Sequence, residues 1–289
     1  MASIDHPVPM IDTHLHIWKP SLRRYEWLDD EGAPLNADFG LEDARPQLFD
    51  AGISGVVLVQ AADTYDDTVG MIAAAASDPI VRGVVAWLPL DRPAETAVAL
   101  ELFAASPVVR GVRTLSHTYD DARWLLRERV ETSIGLVAAR GLTLDVVSER
   151  PEQLAAIAEV ALRHPDLTVV LDHLGTPPIE GAGWEPWASL LAEVAACPNV
   201  SVKISGLSTL SAPTWRWQDW LPYVAHAIDR FGAERVMMGS DWPVSTLAGE
   251  FAQVWRAQRQ VIAHLDESQH SDIMFGTAVR SYGLDGRVR

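Results

Sequence analysis

The chain has 289 residues, 48% of them hydrophobic, and a mean hydropathy of +0.05, which suffices for one large core; α/β barrels of this size often fold as one domain. A net charge of −16 and a pI near 4.9 give a surface that repels phosphate backbones and anionic headgroups, which argues against nucleic-acid and membrane partners. The stretch from Met1 to Pro9 has neither the basic nor the apolar region of a signal peptide, no apolar run nears the roughly 20 residues that span a bilayer, and the single cysteine, Cys197, forms no internal disulfide, so the expectation is a cytoplasmic protein with a structural thiol.

Short runs rich in Val, Ile and Leu recur at residues 10–13, 55–59, 84–88, 109–114, 142–147, 167–171, 200–204 and 235–238. Runs so uniformly apolar suit strands buried on both faces of a parallel sheet. Between them lie amphipathic stretches such as 66–76, 94–105, 151–163, 187–196 and 220–231, with Ser148 and Pro151 as start signals for the third of these. Two more, 249–264 and 267–282, follow the last strand. This alternation predicts a single-domain (β/α)₈ barrel over residues 1–289, with a doubly wound open sheet as the alternative. Neither G-x-G-x-x-G nor a P-loop is present to support a nucleotide-binding variant. Residues 17–40 form a long loop holding Trp18, Tyr25 and Trp27, the length and composition of a lid or substrate wall at the barrel mouth.

Polar groups interrupt the apolar runs at strand ends. Asp12-Thr13-His14-Leu15-His16 sets two histidines two apart, so both rings point to one side of the first strand, the barrel interior at its C-terminal end, where they could bind a metal or orient a carbonyl and a water; two satisfied core histidines are the bland reading. The sixth strand ends in Asp172-His173 and the eighth in Gly239-Ser240-Asp241-Trp242-Pro243. Barrel active sites gather residues from the C-terminal ends of several strands, so His14, His16, His173 and Asp241 form a joint pattern.

Lys203, one of only two lysines, lies inside the seventh strand and must reach a carboxylate such as Asp145 or Asp172, or a substrate. Arg113, ending the fourth strand, could clamp a substrate or pair with an acid; His117 follows it and could line the pocket or face solvent. His6, His164, His226, His264 and His270 read as surface residues. The Trp215-Arg216-Trp217-Gln218 cluster reads as a wall of the site, a capping patch or an interface.

Ile11 to Trp18, Tyr25 to Leu28, Val57 to Ala61, Leu171 to Gly175, Lys203 to Leu207 and Gly239 to Pro243, taken in order, resemble the amidohydrolase superfamily. The nearest likeness is the branch of sugar lactonases that includes L-fuconolactonase, L-rhamnonolactonase and 2-pyrone-4,6-dicarboxylate lactonase. The resemblance implies a barrel that opens a sugar-acid lactone, with Asp241 as the base for water. It makes His14, His16 and His173 the holders of the carbonyl oxygen or a metal, and His173 or Lys203 the partner of the oxyanion. Arg113, Trp18, Tyr25, Trp27, His117 and Trp242 are then candidates to contact substrate. The fourth strand ends in Arg113 and the fifth offers Asp145 and Ser148 but no histidine, which departs from binuclear members. The expectation is one divalent ion, zinc first, on His14, His16 and Asp241, or a metal-free site. A metal-dependent decarboxylase of an unsaturated acid and an inactive carbohydrate-binding barrel are the competing readings, and a homo-oligomer remains open.

Overall fold

The structure, a computed structural model, describes residues 9–31 and 34–284. His6 and most of the stretch read for a leader lie outside these residues. Strands β1 (Ile11–Leu15), β2 (Gly55–Val59), β3 (Val81–Trp87), β4 (Val109–Arg113), β5 (Thr143–Val146), β6 (Val169–Leu171), β7 (Val200–Ile204) and β8 (Val236–Met238) form one parallel sheet in sequential order. Each strand is followed by a helix: α1 (Leu41–Asp50), α2 (Tyr65–Ser77), α3 (Pro93–Phe103), α4 (Glu128–Ala139), α5 (Pro151–Arg163), α6 (Trp187–Ala195), α7 (Trp217–Phe231) and α8 (Phe251–Val261). The (β/α)₈ barrel follows from this order, and the open-sheet alternative fails because β8 returns to β1. Among the described residues, no helix is long and apolar enough to cross a membrane.

The seam between β8 and β1 is joined just beyond β8. The Asp241 amide donates to the His14 carbonyl and the His16 amide to the Trp242 carbonyl, both at 2.8 Å. Thr13 Oγ1 donates to Met238 O at 2.7 Å, and Asp12 Oδ1 accepts the Ser240 amide at 2.8 Å. Gly239 permits this approach: a Cβ there would lie 2.6 Å from the His14 Cβ.

Inside the barrel, Ile11, Val57, Val59, Val85, Val170 and Met237 pack against Ala278, Tyr282 and Leu284 from the C-terminal segment. Each fully buried side chain of this size contributes roughly 1.5–3 kcal/mol. The helices cover the outer strand face through residues such as Val56, Leu58 and Val84. The terminal stretch is two helices, α9 (Glu267–Ser271) and α10 (Thr277–Tyr282), joined by a π-helical turn at Asp272–Gly276. α10 closes the base of the barrel.

Pro151 opens α5 as the sequence suggests, but Ser148 does not cap it. Gln153 Oε1 instead accepts the Glu149 and Arg150 amides, at 2.9 and 3.1 Å. His226 is half-buried among Trp184, Trp187 and Tyr223-side packing of α6 and α7, with Nε2 3.0 Å from Ala188 O, so it is not a surface residue. His164 and His270 are partly buried, while His264 is exposed. Cys197 is a buried free thiol, and burial pushes it up from its ordinary value.

Candidate active site

β1 carries a bulge: Ile11 and Asp12 pair with Gly55 and Val56, whereas Leu15 pairs with Leu58. Three residues of β1 therefore span two of β2, and the inward face passes from Ile11 to His14 and His16. Asp12 stabilises the bulge, since its Oδ1 also accepts the His14 amide at 3.1 Å.

The two imidazoles converge, with Nε2 atoms 3.1 Å apart and rings nearly perpendicular. Asp241 Oδ1 lies 3.7 Å from His14 Nε2 and 3.6 Å from His16 Nε2. The Val59 carbonyl, 2.7 Å from His16 Nδ1, can only accept, so Nδ1 carries the hydrogen and Nε2 presents a lone pair. His14 Nδ1 is hydrogen-bonded by Lys203 Nζ at 3.2 Å, while Asp172 Oδ1, also 3.2 Å away, makes no hydrogen bond with the ring. The hydrogen bond from Lys203 leaves His14 Nε2–H to donate to His16. With the proton on Nδ1, both Nε2 atoms are free as ligands. Burial and Lys203 push His14 well below its ordinary value against the pull of Asp172, so the ring is neutral.

His14, His16 and Asp241 could hold a metal ion. Ligands on a tetrahedral zinc with bonds of about 2.0–2.1 Å lie roughly 3.3 Å apart, close to the separations here. The Val59 carbonyl supplies the outer hydrogen bond that fixes a ligating imidazole. The residues fit one ion. His14, Asp172 and His173 form a second such group, but Asp172 is committed to cations.

Below the histidines lies a buried charge cluster. Lys203 Nζ is 2.7 Å from Asp145 Oδ2 and 2.9 Å from Asp172 Oδ1. Arg113 donates to Asp172 Oδ2 at 3.1 Å and to Gln60 O at 2.6 Å. Tyr282 OH donates to Asp145 Oδ2 at 2.5 Å and Thr143 Oγ1 to Oδ1 at 2.8 Å. Burial pushes Asp172 up, but Lys203, His14 and Arg113 prevail and hold it well below the usual carboxylate range. Two cations thus balance two carboxylates.

His173 (φ 53°) and Asp241 (φ 58°) both adopt left-handed backbone, a conformation that costs energy in a non-glycine residue and recurs at functional sites. His173 Nδ1 is 2.8 Å from Ser205 Oγ. Gly206 leaves room beside both groups, since a Cβ there would meet His173 Nδ1 at 2.7 Å and Asp241 Oδ2 at 3.3 Å. Burial pushes the Asp241 carboxyl up, yet His173, His16 and His14 overcome this and hold it at about 2.

These groups floor a cavity of about 370 Å³. One wall is apolar (Trp18, Trp27, Leu35, Val244, Leu247), and the other holds Arg113, His117, Thr118, Glu149 and Thr176. Of the residues read as substrate contacts, Arg113, Trp18, Trp27 and His117 line the cavity. Tyr25 and Trp242 do not: Tyr25 OH donates to buried Asp67 at 3.0 Å, and Trp242 is buried against Phe39. Lys203 is wholly buried and does not reach the cavity, which removes it as a direct partner of an oxyanion. The Trp215 cluster packs on α7, with Trp215 stacked on Trp220, and does not wall the site.

Sequence reasoning passed over Glu149, Ser205 and Tyr282. Glu149 had a usable signal, a charged residue just past a barrel strand. Tyr282, on a helix far along the chain, had none.

The family model described as amidohydrolase matches residues 11–284. An L-fucono-1,5-lactonase from Burkholderia ambifaria is 34% identical over 95% of this chain and 96% of the relative. A solved amidohydrolase from Burkholderia multivorans with bound HEPES superposes with a TM-score of 0.88 at 27% identity, covering 96% of this chain and 100% of that one. A second solved amidohydrolase from Burkholderia multivorans, with bound zinc, gives a TM-score of 0.85 at 27% identity over the same shares. With the family model spanning nearly the whole chain and His16, His173 and Asp241 meeting in one cavity above His14, the protein belongs to the amidohydrolase family.

Proposed function

We propose that this protein is a lactonase that hydrolyses the ester ring of a sugar-acid lactone, L-fucono-1,5-lactone being the first substrate to test. The observation that carries the reading is an ionised carboxylate, Asp241, facing the same cavity as His173, with His14 and His16 beside it. The 34% identity to a named L-fucono-1,5-lactonase supports the substrate class. A cavity of about 370 Å³ suits one sugar ring.

Ester opening needs a base for water, a donor for the developing oxyanion and a proton for the leaving alkoxide. Asp241, ionised at pH 7, accepts the proton of a water beside Oδ2 as the oxygen attacks the lactone carbonyl carbon. The same proton then passes to the ring oxygen as the carbon–oxygen bond breaks. With Ser205 Oγ–H donating to His173 Nδ1, the His173 Nε2–H is left for the carbonyl oxygen. When bound at His14, His16 and Asp241, a divalent ion, zinc first, supplies Lewis-acid polarisation. Without the ion, Lys203 Nζ donates to His14 Nδ1 and fixes its ring from below.

The test is acid release, followed with a pH indicator, from purified protein offered a panel of aldonolactones. Turnover of a 1,5-lactone supports the reading, and no acid release from any of them ends it.

A further inference from the structure

Three polar groups on one wall of the cavity are not accounted for by the hydrolytic centre. Arg113 is almost fully buried, and its terminal nitrogens are used by Asp172 and Gln60, but its Nε has no hydrogen-bond partner among the described residues. His117 Nδ1 is buried and equally without a partner. Its Nε2 stands 3.8 Å from Glu149 Oε1, too far for a hydrogen bond.

His117 is nevertheless held firmly. The turn Ser116–Thr118 that carries it is tied to Asp63, which accepts the Leu115 amide at 3.0 Å and Tyr119 OH at 3.2 Å. Gln153 Nε2 donates to the His117 carbonyl at 3.0 Å. Arg113 Nε and His117 Nδ1 are sealed behind the wall, whereas His117 Nε2 and Glu149 both line the cavity 3.8 Å apart with no hydrogen bond between them, so the fixed imidazole and the carboxylate mark a place for a ligand's polar atom.

The charge of this wall narrows the chemistry. The Arg113 charge is balanced by Asp172, and that of Lys203 by Asp145 and Asp172. Burial, then Arg113 and His173, push His117 down to about 4, so it is neutral at pH 7 and can donate at one nitrogen and accept at the other. Glu149, 60% exposed at the rim, adds a negative charge. Among the described residues, no cation on this wall is free for a carboxylate or sulfonate, whereas a hydroxyl can donate to Glu149 and accept from His117 Nε2.

We propose that His117 and Glu149 form a specificity subsite for a ring hydroxyl of an uncharged, polyhydroxylated lactone, and disfavour lactones bearing an anionic substituent. This rests on the lactonase reading.

Steady-state kinetics of the wild type, Glu149→Gln and His117→Asn on L-fucono-1,5-lactone, its monodeoxy analogues and a carboxylate-bearing aldarolactone test it. Glu149→Gln alters a solvent-facing side chain and keeps the test available should His117→Asn fold poorly. For the parent lactone, each variant is expected to lose about 10- to 100-fold in kcat/KM, mainly through KM, and the loss should shrink to about threefold or less on the one analogue lacking the contacted hydroxyl. Glu149→Gln should also raise relative turnover of the carboxylate-bearing lactone about tenfold. Equal losses on every lactone, or a wild-type preference for the anionic one, overturn the subsite alone. A wild type that opens no lactone overturns the lactonase reading and the subsite with it.

Discussion

The Asp241 amide donates to the His14 carbonyl at 2.8 Å, so the hydrogen bond that closes the barrel also joins the proposed base to a proposed metal ligand. Site and fold share this seam. The distance between the two functional side chains is set by backbone contacts between the ends of β8 and β1.

Gly239 is where the two are most tightly linked, because a Cβ there would come within 2.6 Å of the His14 Cβ. Gly239→Ala should therefore cost about 1–3 kcal/mol of stability and displace His14. Urea denaturation measured beside kcat checks this. A variant with wild-type stability and turnover would show that the seam yields without cost.

Removal of Lys203 leaves Asp145 and Asp172 facing each other in a dry interior with Arg113 as the remaining cation. Lys203→Met should destabilise the fold by about 3–5 kcal/mol, as expected for breaking a buried ion pair from one side. Tyr282→Phe removes one hydrogen bond to Asp145 and should cost about 1–2 kcal/mol. Equilibrium unfolding of both variants should rank them in that order.

Zinc added to chelator-treated protein should bind at His14, His16 and Asp241 and raise Tm, with a stabilisation of about 2.7 kcal/mol when free zinc is a hundredfold above Kd. His16→Ala should abolish the shift. Calorimetric titration of both proteins reads it out, and an unchanged zinc affinity in His16→Ala would move the ion elsewhere.

Asp67 provides a pH signature remote from the metal ligands. Burial pushes it up to about 6 from 3.8, against hydrogen bonds from the Ala61 amide and Tyr25 OH. The folded state thus binds more protons than the unfolded one between these values, so this group lowers stability as pH rises from about 4 to 6 and adds no further slope above. Relative to Asp67→Asn, which lacks this titration, the wild type should lose up to about 3 kcal/mol across that interval. Parallel slopes for the two proteins in urea melts at stepped pH would refute the assignment.

The barrel was legible because eight apolar runs are separated by helical pattern, and uninterrupted Val, Ile and Leu over four or five residues has few uses besides a strand covered on both faces. The strand-end residues were legible because a histidine or carboxylate ending such a run is expensive to bury without a purpose. The inward aim of His14 and His16 was legible too, but the bulge that achieves it was not. Strict alternation from Ile11 would turn Thr13 and Leu15 inward, and the bulge at Asp12 that turns His14 and His16 inward depends on the Ser240 amide, 228 positions away. Nor could sequence show that Tyr25 spends its hydroxyl on Asp67, or that Lys203 is sealed beneath His14. These are long-range contacts that leave no local pattern.

The most direct test compares Asp241→Asn with the wild type in acid release from L-fucono-1,5-lactone, alongside binding of the open sugar acid. Loss of the base should lower kcat by about 100- to 10,000-fold while the variant still folds and binds the acid. An Asp241→Asn enzyme that retains turnover within about tenfold of the wild type would contradict Asp241 as the group that activates water.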